Sequence, residues 1–323
     1  MKSVVHQIQP ELTNSKMASF KKHMKKYWQY YALMLVPIVY YIIFRYIPMA
    51  GNIIAFRRYR AGRSIFGDEW SGLKYFRQFI GDKTFWRAFR NTLVLNISYL
   101  LVRFPLTLIF ALLLNEIKNL RWKKFVQTVS YLPHFISMVI VTGMIRELLS
   151  TSGPINALIK SIGGEAVSFI ALPEWFTPIF VISGVWQNLG WGTILYLAAI
   201  AGINPSLYEA AEVDGANKWQ RTIHIVVPSL VPLIVILTIL KIGGIFHADF
   251  GLFYNVTQDG ANGNLYSTTN VIDTWTFRAF KEGTGDSYGQ SSAMGLMQSI
   301  IGIILVLSTD ALSKKIDKDL GLF

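Results

Sequence analysis

Between Tyr30 and Leu312 the sequence gathers its apolar residues into six blocks. Each block is close to the about 20 residues that a helix needs to cross the hydrocarbon core of a bilayer. They run roughly from Tyr30 to Met49, Thr92 to Leu114, Val126 to Leu149, Thr177 to Ala199, Ile225 to Phe246 and Ala293 to Leu312. Lipid offers no water to backbone N–H and C=O groups, so blocks of this length cross as helices that satisfy their own hydrogen bonds. The expected fold is therefore all-α: a polytopic membrane protein with six transmembrane helices in one domain. Only 15% of the 323 residues are charged and mean hydropathy is +0.37, which sets the chain apart from an average soluble domain. Pro37, Pro105, Pro133 and Pro232 fall inside the blocks, where neighbouring helices can satisfy the backbone groups a proline frees.

The net charge of +12 is concentrated beside the apolar blocks. No zinc-finger spacing or aromatic RNA-binding signature accompanies it, so nucleic acid is not the expected partner and anionic membrane lipid is. The absence of cysteine excludes disulfides, thiolate catalysis and cysteine metal sites. The five histidines are scattered without HExxH spacing, so no metal site is expected. The first apolar block is too long for a signal-peptide core and lacks a small-residue cleavage site, and it should persist as the first span. Residues 1–28 are expected to form a basic tail and 29–323 the membrane domain.

Basic residues tend to remain on the cytoplasmic side. The N-terminal KKHMKK cluster, Lys118 to Lys124, Lys218 with Arg221, and Lys314 to Lys318 all lie on one side if both termini are cytoplasmic in a plasma-membrane protein. Arg57, Arg58, Arg60, Arg63, Lys74, Arg77, Lys83, Arg87 and Arg90 oppose that arrangement from the first external loop. An amphipathic helix carrying FRQF and FWRAF along the outer surface would soften the conflict.

On the cytoplasmic side lies EAAEVDGANKWQRTIHIVVPSL, Glu209 to Leu230, a polar stretch between two of the most apolar blocks. Asn204 or Ser206 can cap a helix that begins near Pro205, with Glu209 and Glu212 in its early turns. Gly215 should end or bend that helix, and a second short helix should resume until Pro228. On composition alone this is an ordinary interfacial loop.

The run Glu209, Ala210, Ala211, three residues ending in Asp214, Gly215, nine residues, Ile225, one residue, Val227, Pro228 resembles the EAA loop of permease subunits in bacterial ABC importers. The family pattern carries leucine where Val227 stands. RNTLVLNISYLLVRFPLTLIFALLLNE (Arg90 to Glu116), QTVSYLPHFIS (Gln127 to Ser137) and TNVIDTWTFRAF (Thr269 to Phe280) extend the likeness. They are similar to the carbohydrate permeases of the LplB-type, polysaccharide-uptake branch. The resemblance implies the six-helix type I importer fold, with two related permease subunits per pore and two cytoplasmic ATPases that hold ATP and Mg²⁺. It also implies an external sugar-binding lipoprotein and an oligosaccharide cargo. It assigns Glu209, Ala210, Ala211, Asp214, Gly215 and Pro228 to a loop at about 205–228 that docks on the ATPase. This chain has no GxxxxGK[ST] phosphate loop, so no cofactor is expected on it.

The fourth block holds GVWQNLGWGTILYL, which places Trp186, Gln187, Asn188, Trp191 and three glycines inside a span. Aromatic faces suit the apolar faces of sugars, and amides suit their hydroxyls. Asn188 and Trp191 share a helix face. The same residues could simply hold helices together. Lys241 lies inside the fifth block, where a charge is costly and marks function by default, unless it pairs with Asp249 or Glu147. Trp186, Gln187, Asn188, Trp191, Lys241, His247 and Asp249 are the expected pathway, with Trp275 next. Arg103 reads as a structural or partner-facing charge. A membrane enzyme acting on lipid-linked sugar would need Asp249 and Glu147 to face one cavity. A passive channel would have no use for a docking loop.

Overall fold

A computed structural model describes residues 2–60, 62–66, 69–248, 250–256, 265–283 and 285–322. The chain begins in α1 (Lys2–Tyr41), which kinks at Tyr27, where φ is −115° and ψ is 20°. A π-helical turn (Ile42–Tyr46), α2 (Ile47–Met49) and a 3-10 turn (Ala50–Phe56) complete the first span. β1 (Arg57–Arg58) and β2 (Glu69–Trp70) pair antiparallel, with Arg57 opposite Trp70. There follow α3 (Lys74–Ile80), α4 (Lys83–Glu116), α5 (Leu120–Tyr131), α6 (Met138–Leu148), α7 (Pro154–Ser161) and α8 (Pro173–Ala201). The loop helices α9 (Pro205–Val213) and α10 (Lys218–Arg221) lead through a π-helical turn (Thr222–Val226) into α11 (Val227–Gly243). The chain closes with α12 (Phe250–Val256), α13 (Tyr266–Thr269), α14 (Ile272–Glu282) and α15 (Gly285–Ile316).

Among the described residues, four segments are long and apolar enough to cross a membrane: Lys22–Phe56, Lys83–Glu116, Lys218–Gly243 and Asp286–Ile316. The third expected block is not one continuous helix. It breaks at a 3-10 turn over Leu132–Phe135, and the two halves meet at 98°. Pro133 supplies no N–H to a helical ladder, and Ser137 restarts the helix by accepting the amide of Ile140. The fourth block is α8, which carries Gln187, Asn188 and its glycines and is not among those four segments. α4, α5, α11 and α13 all pack against it.

Helices approach closely where glycines allow. A Cβ on Gly184 would lie 2.8 Å from the Tyr99 ring, and one on Gly192 2.8 Å from the Thr107 methyl. Tyr99 and Gly184 are offset by 85 residues, and the same offset recurs at Thr107 and Gly192, so α4 and α8 run parallel in fixed register. A Cβ on Gly190 would sit 2.2 Å from the Ser130 carbonyl on α5. Gly243 and Gly302 join α11 to α15 in the same manner. The glycines of the GVWQNLGWG stretch are thus helix contacts, which separates them from the polar residues between them.

The basic first loop folds differently from the expected surface helix. FRQF lies on α3, but FWRAF is the opening of α4 itself, capped by Asp82 accepting from Thr84. Tyr75, Phe79 and Phe85 are buried with Ile272 and Met294 at this end. Lys74 pairs with Asp286 at 2.9 Å, and the Arg57 guanidinium donates to the Phe66 carbonyl at 2.6 Å. Part of that basic charge is therefore engaged within the fold.

Candidate functional site

Parallel α4 and α8, together with α11, wall a cavity of about 580 Å³ within the helical bundle. Asn96, Tyr99 and Arg103 reach it from α4, Gln187, Asn188 and Trp191 from α8, and Lys241 from α11. The sequence-predicted Gln187, Asn188, Trp191, Lys241 and His247 are thereby brought to one space. Trp186 is not among the lining residues and is exposed on the opposite side of α8. Asp249 lies outside the described residues. Trp275 belongs to the aromatic cluster with Phe79 and Phe85, not to the cavity.

The broken α5–α6 span supplies one wall. At the break, Gln187 donates to the Ile136 carbonyl at 3.1 Å, which satisfies a backbone acceptor that the kink releases. His134, in the 3-10 turn, stacks face to face on Trp191 with centroids 4.5 Å apart and planes 6° apart. Its Nδ1 is 3.0 Å from Asn188 Oδ1, while Asn188 Nδ2 donates to the Gly184 carbonyl at 3.0 Å. Asn188 and Trp191 are thus fixed by one histidine. Sequence reasoning did not find His134; the Pro133–His134 pair inside an apolar block was the available signal.

Arg103 was expected to be structural or partner-facing, yet it lines the cavity. Its guanidinium lies over the Tyr99 ring, 5.4 Å from the centroid, and against Gly192. Tyr99 is held in turn by donating to the Gly184 carbonyl at 3.1 Å. Gly184 and Gly192 leave room on α8 for this tyrosine and arginine. Lys241 makes no ion pair among the described residues, so the pairing foreseen with Glu147 is not observed, while the one foreseen with Asp249 lies outside them. Glu147 is not a lining residue, and among the described residues no carboxylate lines the cavity.

At one end of the cavity, residues 244–248 are anchored from three helices. Asn96 on α4 donates to the carbonyls of Ile245 and His247 at 2.6 and 3.1 Å. Asp273 on α14 accepts the Ala248 amide at 2.5 Å, and Gln298 on α15 donates to the Phe246 carbonyl at 2.8 Å. His247 Nδ1 lies 3.8 Å from Asp273. That carboxylate raises the histidine above its ordinary value, against an opposing effect of partial burial.

The loop between α8 and α11 forms two short helices meeting at Gly215, whose φ is +75°. Asn204 caps α9 by accepting from Ser206, and Asn217 with Gln220 forms a reciprocal capping box on α10. Glu212 does not lie in an early turn of α9 as its sequence position suggested. The helix begins at Pro205, so Glu212 falls in its last turn, where the dipole disfavours it, and Arg221 lies 3.5 Å away. Lys218 reaches Glu116 at the end of α4, 3.5 Å away. Glu209, Ala210, Asp214 and Gly215 are exposed, Ala211 is half-buried, and Pro228 opens α11. Val213 and Trp219, which the sequence did not single out, are 88% and 71% exposed beside them.

Comparison with known proteins agrees with this geometry. Residues 103–321 match the family described as "Binding-protein-dependent transport system inner membrane component". The polygalacturonan/rhamnogalacturonan transport system permease protein YteP of Bacillus subtilis is 39% identical over 90% of this chain and 89% of its own length. Protein LplB of the same organism is 38% identical over 97% of both chains. A chain from the crystal structure of a bacterial ABC transporter involved in import of the acidic polysaccharide alginate superposes with a TM-score of 0.80. It is 36% identical over 92% of this chain and 98% of that one. A further structure of a bacterial alginate ABC transporter contains an alginate pentasaccharide-bound periplasmic protein and matches equally well. The cavity, the broken span and the exposed EAA turn are thus features of a multi-pass transport subunit, and the chain belongs to the inner-membrane permease family of binding-protein-dependent ABC importers.

Proposed function

We propose that this chain is one of two permease subunits of an ATP-driven importer. It receives oligosaccharide from an external binding protein and passes it to the cytoplasm. The observation that carries this reading is a connection: the EAA loop joins α8 directly to α11, two walls of the cavity. Its exposed face offers Glu209, Ala210, Asp214 and Gly215 together with Val213 and Trp219, a surface fit for a groove on a separate ATPase. Ala210 and Ala211 are small enough for close backbone approach, and Gly215 permits the left-handed turn. ATP and Mg²⁺ stay on that partner. With the loop on the cytoplasmic side, both termini are cytoplasmic too.

In the cavity, Trp191 presents an aromatic surface for a sugar ring, and Asn188, Gln187 and Asn96 offer amides to hydroxyls. His134 orients two of these groups. Closure of the ATPase pair pulls on the loop and shifts α8 against α11, which exposes the cavity to alternate sides. The test is ATP-dependent uptake of labelled oligosaccharides in cells deleted for this chain. The wild-type gene should restore uptake, and the double variant N188A/W191A should restore assembly with the ATPase without restoring uptake. Equal uptake by wild type and double variant would remove these residues from the pathway.

A further inference from the structure

Three cations of the basic first loop lie along one face of α4. Lys83, Arg87 and Arg90 are exposed and fall at i, i+4 and i+7, so they stand one above another on that helix. The opposite side carries Phe85, Ala88, Thr92 and Leu95, all buried in the bundle. The exposed face continues at the same angle as Val94, Ile97, Leu101 and Pro105. Between Asn91 and Asn115 every exposed residue of α4 is apolar, whereas those before Asn91 are Lys83, Thr84, Trp86, Arg87 and Arg90. The change from charge to hydrocarbon is therefore made within about one helical turn, from Arg90 to Val94.

That boundary lies at the depth of a bilayer edge. From Val94 to Leu114, near the end of α4, the helical rise gives about 30 Å, the thickness of a hydrocarbon core. Lys83 to Arg90 add about 10 Å beyond it, which carries the three cations through the adjoining headgroup layer. Trp86, half-exposed beside them, sits at the level that aromatic residues favour. A lipid whose chains lie on the Val94–Ile97–Leu101 stripe thus brings its headgroup phosphate to these cations. An acidic protein surface would answer the cations but not the apolar stripe that continues them, so lipid fits the whole face. We infer that Lys83, Arg87 and Arg90, with the stripe beneath them, bind an anionic phospholipid of the outer leaflet, of the phosphatidylglycerol kind. The site gives these basic residues a role on the side of the membrane where such residues are disfavoured. The leaflet, unlike the preference for anionic lipid, rests on the orientation in the importer reading.

The experiment places the whole transporter, with partner permease and ATPase, in phosphatidylcholine vesicles containing a small share of brominated lipid. Val94→Cys, in an otherwise cysteine-free complex, carries a bimane fluorophore, so quenching reports which lipid touches the stripe. At low ionic strength brominated phosphatidylglycerol should be preferred over brominated phosphatidylcholine by about tenfold or more, since each cation contributes about fivefold. The preference should fall to about twofold or less in K83Q/R87Q/R90Q, and it should weaken as salt is added. Equal quenching by the two lipids with the three cations intact, or a preference kept by the triple variant, overturns the inference. Quenching by neither lipid, or its loss when the binding protein is added, would assign the face to a protein partner and overturn it as well. The comparison of the two lipids decides the matter even if the triple variant fails to assemble. It is read without transport, so its failure leaves the importer reading standing, whereas reversed labelling of Ser64→Cys would overturn the orientation and the leaflet alone.

Discussion

His134 and Trp191 lie in parallel contact, 4.5 Å between centroids, although one sits in a helix break and the other in the middle of α8. The same histidine meets the Asn188 amide. The two side chains best suited to a sugar are therefore positioned by a residue on a different span, and losing that residue should loosen both. Trp191→Ala should lower uptake about three- to tenfold, the scale of one aromatic contact. His134→Ala should lower it similarly, and the double variant should fall short of the sum, because the two act as a unit. Fully additive effects on uptake would show that the stack does not position the site.

Gly215 provides a graded test of docking. Its φ of +75° strains any side chain, and a Cβ there meets open space in the isolated chain. Gly215→Ala should therefore cost only about 1 kcal/mol of local backbone strain and weaken ATPase co-purification mildly. Gly215→Trp adds bulk on the docking face and should abolish co-purification while membrane insertion persists. Equal recovery of the ATPase with both variants would place the docking surface elsewhere.

Gly190 should be the least tolerant of the glycines in the helix-contact set. A Cβ there would sit 2.2 Å from the Ser130 carbonyl, a backbone atom that cannot rotate away. Gly190→Val should lower stability in detergent by about 1–3 kcal/mol through overpacking. Gly295, with no atom within 4 Å of an added Cβ, is the control, and Gly295→Ala should be close to neutral. Thermal melts of both variants decide this.

The His247–Asp273 pair gives a pH dependence of known sign. The folded-state value of His247 lies above the ordinary value of about 6.5, so the pair's stabilisation is complete below about pH 6.5. It is lost as pH rises through the raised folded value. The histidine side chain is 56% exposed, so the effect should be under about 1 kcal/mol. Melting temperature should decline slightly over that window in wild type and less in His247→Gln. An identical slope in the two proteins would show that the pair contributes nothing.

The absence of cysteine makes topology directly measurable. Ser64→Cys should react with an impermeant thiol reagent in intact cells, and Asn217→Cys only after the membrane is opened. Reversed labelling would invert the orientation.

The spans were legible because lipid demands long apolar runs, and the EAA turn because its spacing is specific. α8 shows where legibility ended. One stretch, GVWQNLGWG, holds glycines that pack against α4 and α5 and polar groups that face the cavity, and only the neighbouring helices distinguish them. The place of Arg103 on the cavity was not legible for the same reason, since which way an intramembrane charge faces depends on helix rotation. The 98° break was signalled by Pro133, but proline is tolerated in continuous spans, so its consequence required the surrounding contacts. His134 was missed because a single histidine in an apolar block has no meaning until its stacking partner is known.

The glycine contacts have a mechanical consequence. Where backbone meets side chain or backbone with no room between, no rotamer can yield to absorb a displacement. A push delivered to the lower end of α4 through Glu116 and Lys218 should therefore reach Tyr99 and Arg103 almost undiminished, with α8 travelling alongside. The helix pair then behaves as a rod rather than a spring, and the give needed for the cavity to change shape must come from elsewhere, most plainly from the sharp corner at Pro133.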